Sequence, residues 1–282
     1  MSIPDDHDEL EVLRQQNLLL AEENARLKRM LGLGEPEDSE SEPESTPSAP
    51  TVDSASPAHL KIGLFRSLFH GREDVYAKRW QSRTGASGYA PVCANEWKSG
   101  LCDKRRVKCA ECANRELVEL DDVAIQDHLT GRSTLGVYPM LEDEICWFLA
   151  IDFDDATWRE DVAAFRAAAS GSSLSCHVEI SRSGSGAHAW LFFAEPIPAS
   201  LARRLGTALL TLAARRRHVL SLRSYDRLFP SQDTLPRGGF GNLIALPLQH
   251  EPRSAGRSVF VDEDSACEPE TSFDDLSFYR RL

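Results

Sequence analysis

From Cys146 to Ile151 six apolar residues run without a break, and the run closes on Asp152, Phe153, Asp154 and Asp155. A continuous apolar stretch of this length bounded by polar residues predicts a strand buried on both faces. Alternation along that strand puts Asp152 and Asp154 on one side and Phe153 on the other. The same alternation turns Asp155 away from the pair, toward capping the helix that follows. Around this strand the pattern predicts a short helix from Asp121 to Thr130 capped by Asp121, and a helix over Thr157 to Ala169. A strand follows from Ser175 to Ser181, then a turn at Arg182 to Gly186 and an apolar strand from Ala187 to Ala194. An amphipathic helix over Leu201 to Arg217 keeps most of its arginines on the outer face. A last apolar strand is expected from Leu243 to Leu248.

The N-terminal part obeys a different period. Leu10, Leu13, Asn17, Leu20, Asn24, Leu27 and Leu31 form a heptad stripe with leucine at d and asparagine at two a positions. That pattern favours a parallel two-stranded coiled coil, with the asparagines fixing register at some cost in stability. The competing arrangement is an amphipathic helix docked on its own domain. Residues 33–58 are Pro-, Ser-, Glu- and Asp-rich and have almost nothing to bury, which predicts a disordered acidic linker. The expected organisation is a coiled-coil helix over 1–32, the linker over 33–58, a folded domain over 59–261 and an acidic tail over 262–282.

With 282 residues, 41% of them hydrophobic, the chain can bury a core of one or two domains. The sequence holds no apolar run of membrane-spanning length and no secretory leader, so a cytoplasmic protein without membrane association is expected. The net charge of −12 is uneven. Residues 1–58 carry 14 acids and 4 bases and residues 262–282 carry 7 acids and 2 bases, leaving 23 acids and 26 bases between them. The middle of the chain is mildly basic and compatible with a polyanionic ligand.

Four of the seven cysteines cluster: Cys93, Cys102, Cys109 and Cys112. The last pair is a Cys-x-x-Cys knuckle, and the four together have the composition of a closed tetrahedral zinc site. Ordinary buried thiols are the alternative. Lys98, Lys104, Arg105, Arg106 and Lys108 make this segment strongly positive, and the preceding stretch from Phe65 to Trp80 interleaves bases with aromatics, as suits phosphate contacts and stacking. Asp152 and Asp154 on one face repel each other unless a cation sits between them, and Mg²⁺ or Mn²⁺ suits oxygen ligands. A solvated acidic turn is the plainer alternative. Ser181-Arg182-Ser183-Gly184-Ser185-Gly186-Ala187-His188 combines glycines, hydroxyls, an arginine and a histidine in a form that fits a phosphate, or else an ordinary hairpin with a core histidine. Asp226 is a candidate third carboxylate, and Arg237 and Asn242 flank the turn that follows it.

The order of these features, a carboxylate pair, a Ser/Gly turn with a histidine and a later aspartate, resembles the archaeo-eukaryotic primase superfamily. Within it the chain is similar to the primase domain of TOTE conflict systems, through Phe-His-Gly-Arg-Glu-Asp-Val-Tyr-Ala at 69–77, the cysteine cluster and Gly-Phe-Gly-Asn-Leu-Ile-Ala-Leu-Pro at 239–247. The resemblance covers roughly residues 60 to 255. It implies an α/β (α+β) fold with an RRM-like catalytic unit flanked by a second α/β subdomain and a zinc knuckle. It also implies template-directed nucleotidyl transfer, the work of a DNA primase-polymerase, with Asp152, Asp154 and Asp226 holding two Mg²⁺ or Mn²⁺ ions. His188, Arg182, Ser183 and Ser185, with Arg237 and Asn242 as weaker candidates, would bind the triphosphate. Implied partners are nucleoside triphosphates and a single-stranded or primed DNA template. Self-association or a partner helix through residues 10–31, and a separate helicase or nuclease, complete the expectation. Two other classes fit the same residues: an idle nucleic-acid-binding module that recruits such a partner, and a metal-dependent nuclease.

Overall fold

The computed structural model describes residues 52–53, 55–216 and 227–261. In chain order they form α1 (Ala58–Leu68), β1 (Ala77–Gln81), β2 (Ser87–Pro91), α2 (Asp122–Leu129), β3 (Leu135–Val137), β4 (Ile145–Phe153), α3 (Trp158–Ser170), β5 (His177–Ile180), β6 (Ala187–Pro198), α4 (Ala199–Arg216), β7 (Leu228–Phe229), β8 (Ile244–Ala245), α5 (His250–Ser254) and β9 (Val259–Val261). The heptad stripe, the acidic linker up to residue 51, Asp226 and the C-terminal tail lie outside the described residues.

The uninterrupted apolar run becomes β4, the second strand of a five-stranded sheet ordered β7-β4-β6-β5-β9. Every pairing in it is antiparallel. A strand of such a sheet usually alternates because one face meets water. Here both faces are covered, so β4 needs apolar residues at odd and even positions alike. Leu149, Ile151 and Phe153 pack with Val162 and Phe165 of α3 and Leu209 and Leu210 of α4. Phe148 and Ala150 turn to the opposite face and join Trp190, Phe65 of α1, Ile125 of α2, and Leu135 and Ile244 of the second sheet. Each fully buried Phe or Leu contributes about 1.5–3 kcal/mol, so β4 is stabilised from both sides.

The second sheet is also antiparallel, ordered β2-β1-β3-β8. The molecule is thus a mixed helix and strand structure in which helices cover one face of the five-stranded sheet and a smaller sheet with α1 and α2 lies toward the other. His128 ties part of that second layer together. Its Nδ1 accepts from the Leu135 amide at 3.1 Å, and the Nε2–H donates to the Pro247 carbonyl at 2.8 Å. Complete burial lowers its pKa to about 4, so the ring stays neutral.

Two local expectations need correction. The helix after β4 has Thr157, not Asp155, at its N-cap. The strand expected over 243–248 shrinks to Ile244–Ala245, because its partner β3 has only three residues and the backbone turns through Leu248 at φ 65°. In the Phe65–Trp80 stretch, Phe65, Phe69 and Tyr76 serve the core, and Arg72 is buried against Asp74 and Glu142. The Asp121 cap is as expected, with its carboxylate accepting from the Ala124 amide at 2.8 Å. Among the described residues no helix is long and apolar enough to cross a membrane.

Candidate active site

Antiparallel register gathers side chains that are far apart in sequence. Asp152 of β4 lies opposite His188 of β6, His188 lies opposite Glu179 of β5, and Glu179 lies opposite Phe260 of β9. On the other edge the Asp152 amide donates to the Arg227 carbonyl at 3.1 Å. One row across the sheet therefore reads Arg227, Asp152, His188, Glu179, Phe260. The face it occupies is the one shared by Phe148, Ala150 and Trp190, which looks toward the smaller sheet.

The charges alternate along this row. Arg227 Nη1 stands 3.2 Å from Asp152 Oδ2 and in close contact with Asp154 Oδ2, so one guanidinium bridges the carboxylate pair. The contact with Asp154 leads in raising the Arg227 pKa, partial burial opposes it, and Asp152 adds to the rise. Asp152 is 23% exposed and Asp154 46%, leaving both open to solvent at the strand's end. His188 Nε2 faces Asp152 Oδ1 at 3.7 Å, while Nδ1 meets Glu179 Oε2 at 2.8 Å. Burial works to lower the His188 pKa, but Glu179, then Asp152 and Asp154, more than offset it and the net shift is upward.

Glu179 is a buried carboxylate, 2% exposed, that the linear sequence did not single out. Oε2 accepts from Trp190 Nε1–H at 3.2 Å as well as meeting His188, and Oε1 accepts from Ser258 Oγ–H at 3.3 Å. Its isolated Glu within a short apolar strand was the available signal. Arg227 sat next to Asp226 in sequence with nothing local to mark it as the cation between Asp152 and Asp154.

The Ser/Gly turn closes over the same end of β4. Gly184 takes φ 78°, and its amide donates to the Ser181 carbonyl at 2.9 Å. Ser183 Oγ accepts from the Ser185 amide at 3.2 Å. A Cβ at Gly186 would stand 2.6 Å from the Phe153 carbonyl oxygen, so only glycine lets the turn lie this close to the carboxylates. Arg182 is half-buried and Ser183 and Ser185 are exposed on the turn. Tyr89 of β2 is half-buried: burial raises its pKa, Arg182 and Arg79 act against that rise and Glu179 adds to it.

The remaining expected residues are dispersed. Arg237 is exposed on the turn at 236–239. Asn242 Nδ2–H donates to the Leu228 carbonyl at 2.7 Å and its Oδ1 accepts from the Ser231 amide at 3.1 Å, which anchors β7 and uses both ends of the amide. Cys93, Cys102, Cys109 and Cys112 are free thiols lining one small cavity of about 20 Å³. Among the described residues no three His, Cys, Asp or Glu side chains are grouped so as to hold a metal ion.

Residues 60–279 match the family described as "TOTE conflict system, Archaeo-Eukaryotic Primase domain". The chain belongs to this family. No curated protein matches the sequence. Among solved structures this TOTE-type primase domain is similar to the polymerase domain of Mycobacterium tuberculosis Ligase D in complex with DNA. The two share 14% identity over 79% of this chain and 85% of that one, with a TM-score of 0.47.

Glu179→Ala would leave the buried donors of Trp190 and Ser258 without their acceptor and His188 without its anion. A destabilisation of about 3–5 kcal/mol is expected from denaturant unfolding, with a smaller loss for Glu179→Gln, which keeps one acceptor oxygen. An alanine variant as stable as the parent would show that this carboxylate does not hold the row together.

Proposed function

We propose that the protein is a template-directed nucleotidyltransferase, a DNA primase-polymerase that adds nucleotides from nucleoside triphosphates. The observation that carries this reading is the row Arg227, Asp152, His188, Glu179. It sets a carboxylate pair that already needs a cation beside a histidine held for anion contact. Family membership supports nucleotidyl transfer as the general chemistry.

The donor set fits divalent ions. Asp152, near the end of β4, and Asp154, just past it, are oxygen donors open to solvent and bridged by a single guanidinium. With Asp226 they would hold Mg²⁺ or Mn²⁺, which supplies charge neutralisation and makes a hydroxyl easier to deprotonate. The reaction joins a primer 3′-hydroxyl oxygen to the α-phosphorus of the incoming nucleotide. The bond to the bridging oxygen breaks, pyrophosphate departs and the hydroxyl proton passes to water.

The chain's own residues bind and orient. Glu179 accepts from His188 Nδ1–H and favours the protonated ring, so Nε2–H is left to donate to a phosphate oxygen. Arg182 adds fixed charge and the hydroxyls of Ser183 and Ser185 add donors, so their contribution is positioning and electrostatic stabilisation. Arg227 would release the carboxylates to metal and turn to phosphate. Arg237, on its exposed turn, is the weaker triphosphate candidate, whereas Asn242 acts by holding β7. A single-stranded or primed template would complete the site.

Cys93, Cys102, Cys109 and Cys112 form a structural zinc site in this reading, because four thiols border a cavity large enough for one ion. The thiols would draw together on binding, tying down a segment with little core of its own.

Purified protein incubated with primed template, Mn²⁺ and labelled nucleotides should lengthen the primer, and the Asp152→Ala/Asp154→Ala protein should lose at least about a hundredfold of that rate. No product across metals and primers would refute the polymerase assignment, and template shortening would indicate a nuclease instead. Metal analysis should find one zinc per folded chain, lost on Cys109→Ser/Cys112→Ser; a folded, zinc-free parent would remove the structural zinc.

A further inference from the structure

Away from the carboxylate row, the edge of the smaller sheet and the cysteine segment enclose a groove of about 760 Å³. Lys78 and Trp80 of β1, Val92 beyond β2, and Trp97, Lys104 and Lys108 of the cysteine segment line it. Its size falls within the roughly 300–1,000 Å³ usual for ligand pockets. Two tryptophans lie open to solvent there, Trp80 at 47% and Trp97 at 66% exposure. Exposed indoles of this extent are costly in water, and two lining one groove ask for a ligand with flat apolar faces.

Each indole is presented in a set way. Trp80 pairs with Gly88 across the β1–β2 hairpin. A Cβ added at Gly88 would meet Trp80 Cζ2, Cε2 and Nε1 at 3.1, 3.2 and 3.4 Å. Three neighbouring ring atoms at nearly equal distance mean that the ring's face covers the glycine, so the hairpin backs the indole. Trp97 takes φ 59°, and Lys104 Nζ lies 5.4 Å from its ring centroid. Lys104 also pairs with Glu96, the one acid among the described residues that line the groove, which leaves Lys78 and Lys108 as surplus positive charge.

Flat faces beside cations match unpaired bases on a phosphodiester backbone, since stacking is available only to bases that are not already stacked in a duplex. We infer that this groove is a binding site for single-stranded nucleic acid, with Trp80 and Trp97 as stacking platforms and Lys78 and Lys108 as phosphate contacts. The inference rests on the polymerase reading only for its purpose, which is to hold the template strand beyond the catalytic row.

Fluorescence anisotropy of a short labelled oligothymidylate, without metal or nucleotide, reads this site independently of catalysis. The full-length protein and the Asp152→Ala/Asp154→Ala protein should bind it alike. Trp80→Ala and Trp97→Ala should each weaken binding by about tenfold or more, while Trp80→Phe, which keeps a flat ring, should retain most of it. Far-ultraviolet circular dichroism verifies that the variants are folded. A duplex of the same length should bind more weakly and respond little to either alanine change. Unchanged affinity in both folded alanine variants, or a duplex preference, would overturn the proposal even if primer extension succeeds. Lost extension with these binding results intact would instead count against the polymerase reading alone.

Discussion

Two carboxylates held close together repel each other, and the structure relieves that repulsion at Asp152 and Asp154 with the Arg227 guanidinium. The rest of the architecture follows from holding this arrangement in a low-dielectric setting. Burying β4 on both faces makes the strand rigid and fixes the register that lines up Arg227, Asp152, His188 and Glu179. Cation and anion alternate along that row, so each charge has an opposite neighbour on the sheet. Glu179 lies deepest and His188 is next, while Asp152 and Asp154 remain accessible. In the proposed function the inner carboxylate holds the histidine and the outer two are left for chemistry.

Much of this was legible locally. The apolar run marked β4, Asp121 followed by an apolar period marked the start of α2, and the helices following β4 and β6 appeared within a residue or two of their expected limits. The turn at Arg182 to Gly186 was legible too, because glycine and serine carry their own backbone geometry. What the linear pattern hid was pairing. A continuous apolar run is equally consistent with a central parallel strand, and only the contacts on both faces reveal why an antiparallel strand has lost its alternation. Glu179 and Arg227 escaped for the same reason. Each acquires its meaning from a residue on a neighbouring strand, and register is set by the whole sheet. Asp155 shows the converse error: β4 ends at Phe153, so alternation does not separate Asp155 from the pair, it lines the same small cavity as Asp152 and Asp154, and the cap position went to Thr157.

The smaller sheet is more than a cover for the row. It projects Trp80 at its outer edge, so the β1–β2 hairpin forms one wall of the basic groove. The cysteine segment supplies the opposite wall. Arg115 links it to the 236–240 turn through the Gly238 carbonyl at 3.1 Å and the Phe240 ring at 4.9 Å. A structural ion among the four thiols would therefore act on the groove's shape through Trp97 and Lys104, and on the segment that carries Arg237.

The central claim is that the cation position between Asp152 and Asp154 accepts a divalent metal ion. Titration of the protein into Mn²⁺, followed by the electron paramagnetic resonance signal of the free ion, tests it without reference to any product. The parent protein should deplete that signal and the Asp152→Asn/Asp154→Asn protein should not. Equal depletion by the two proteins would contradict the account, since it would put the metal elsewhere and leave the carboxylate pair to Arg227 alone.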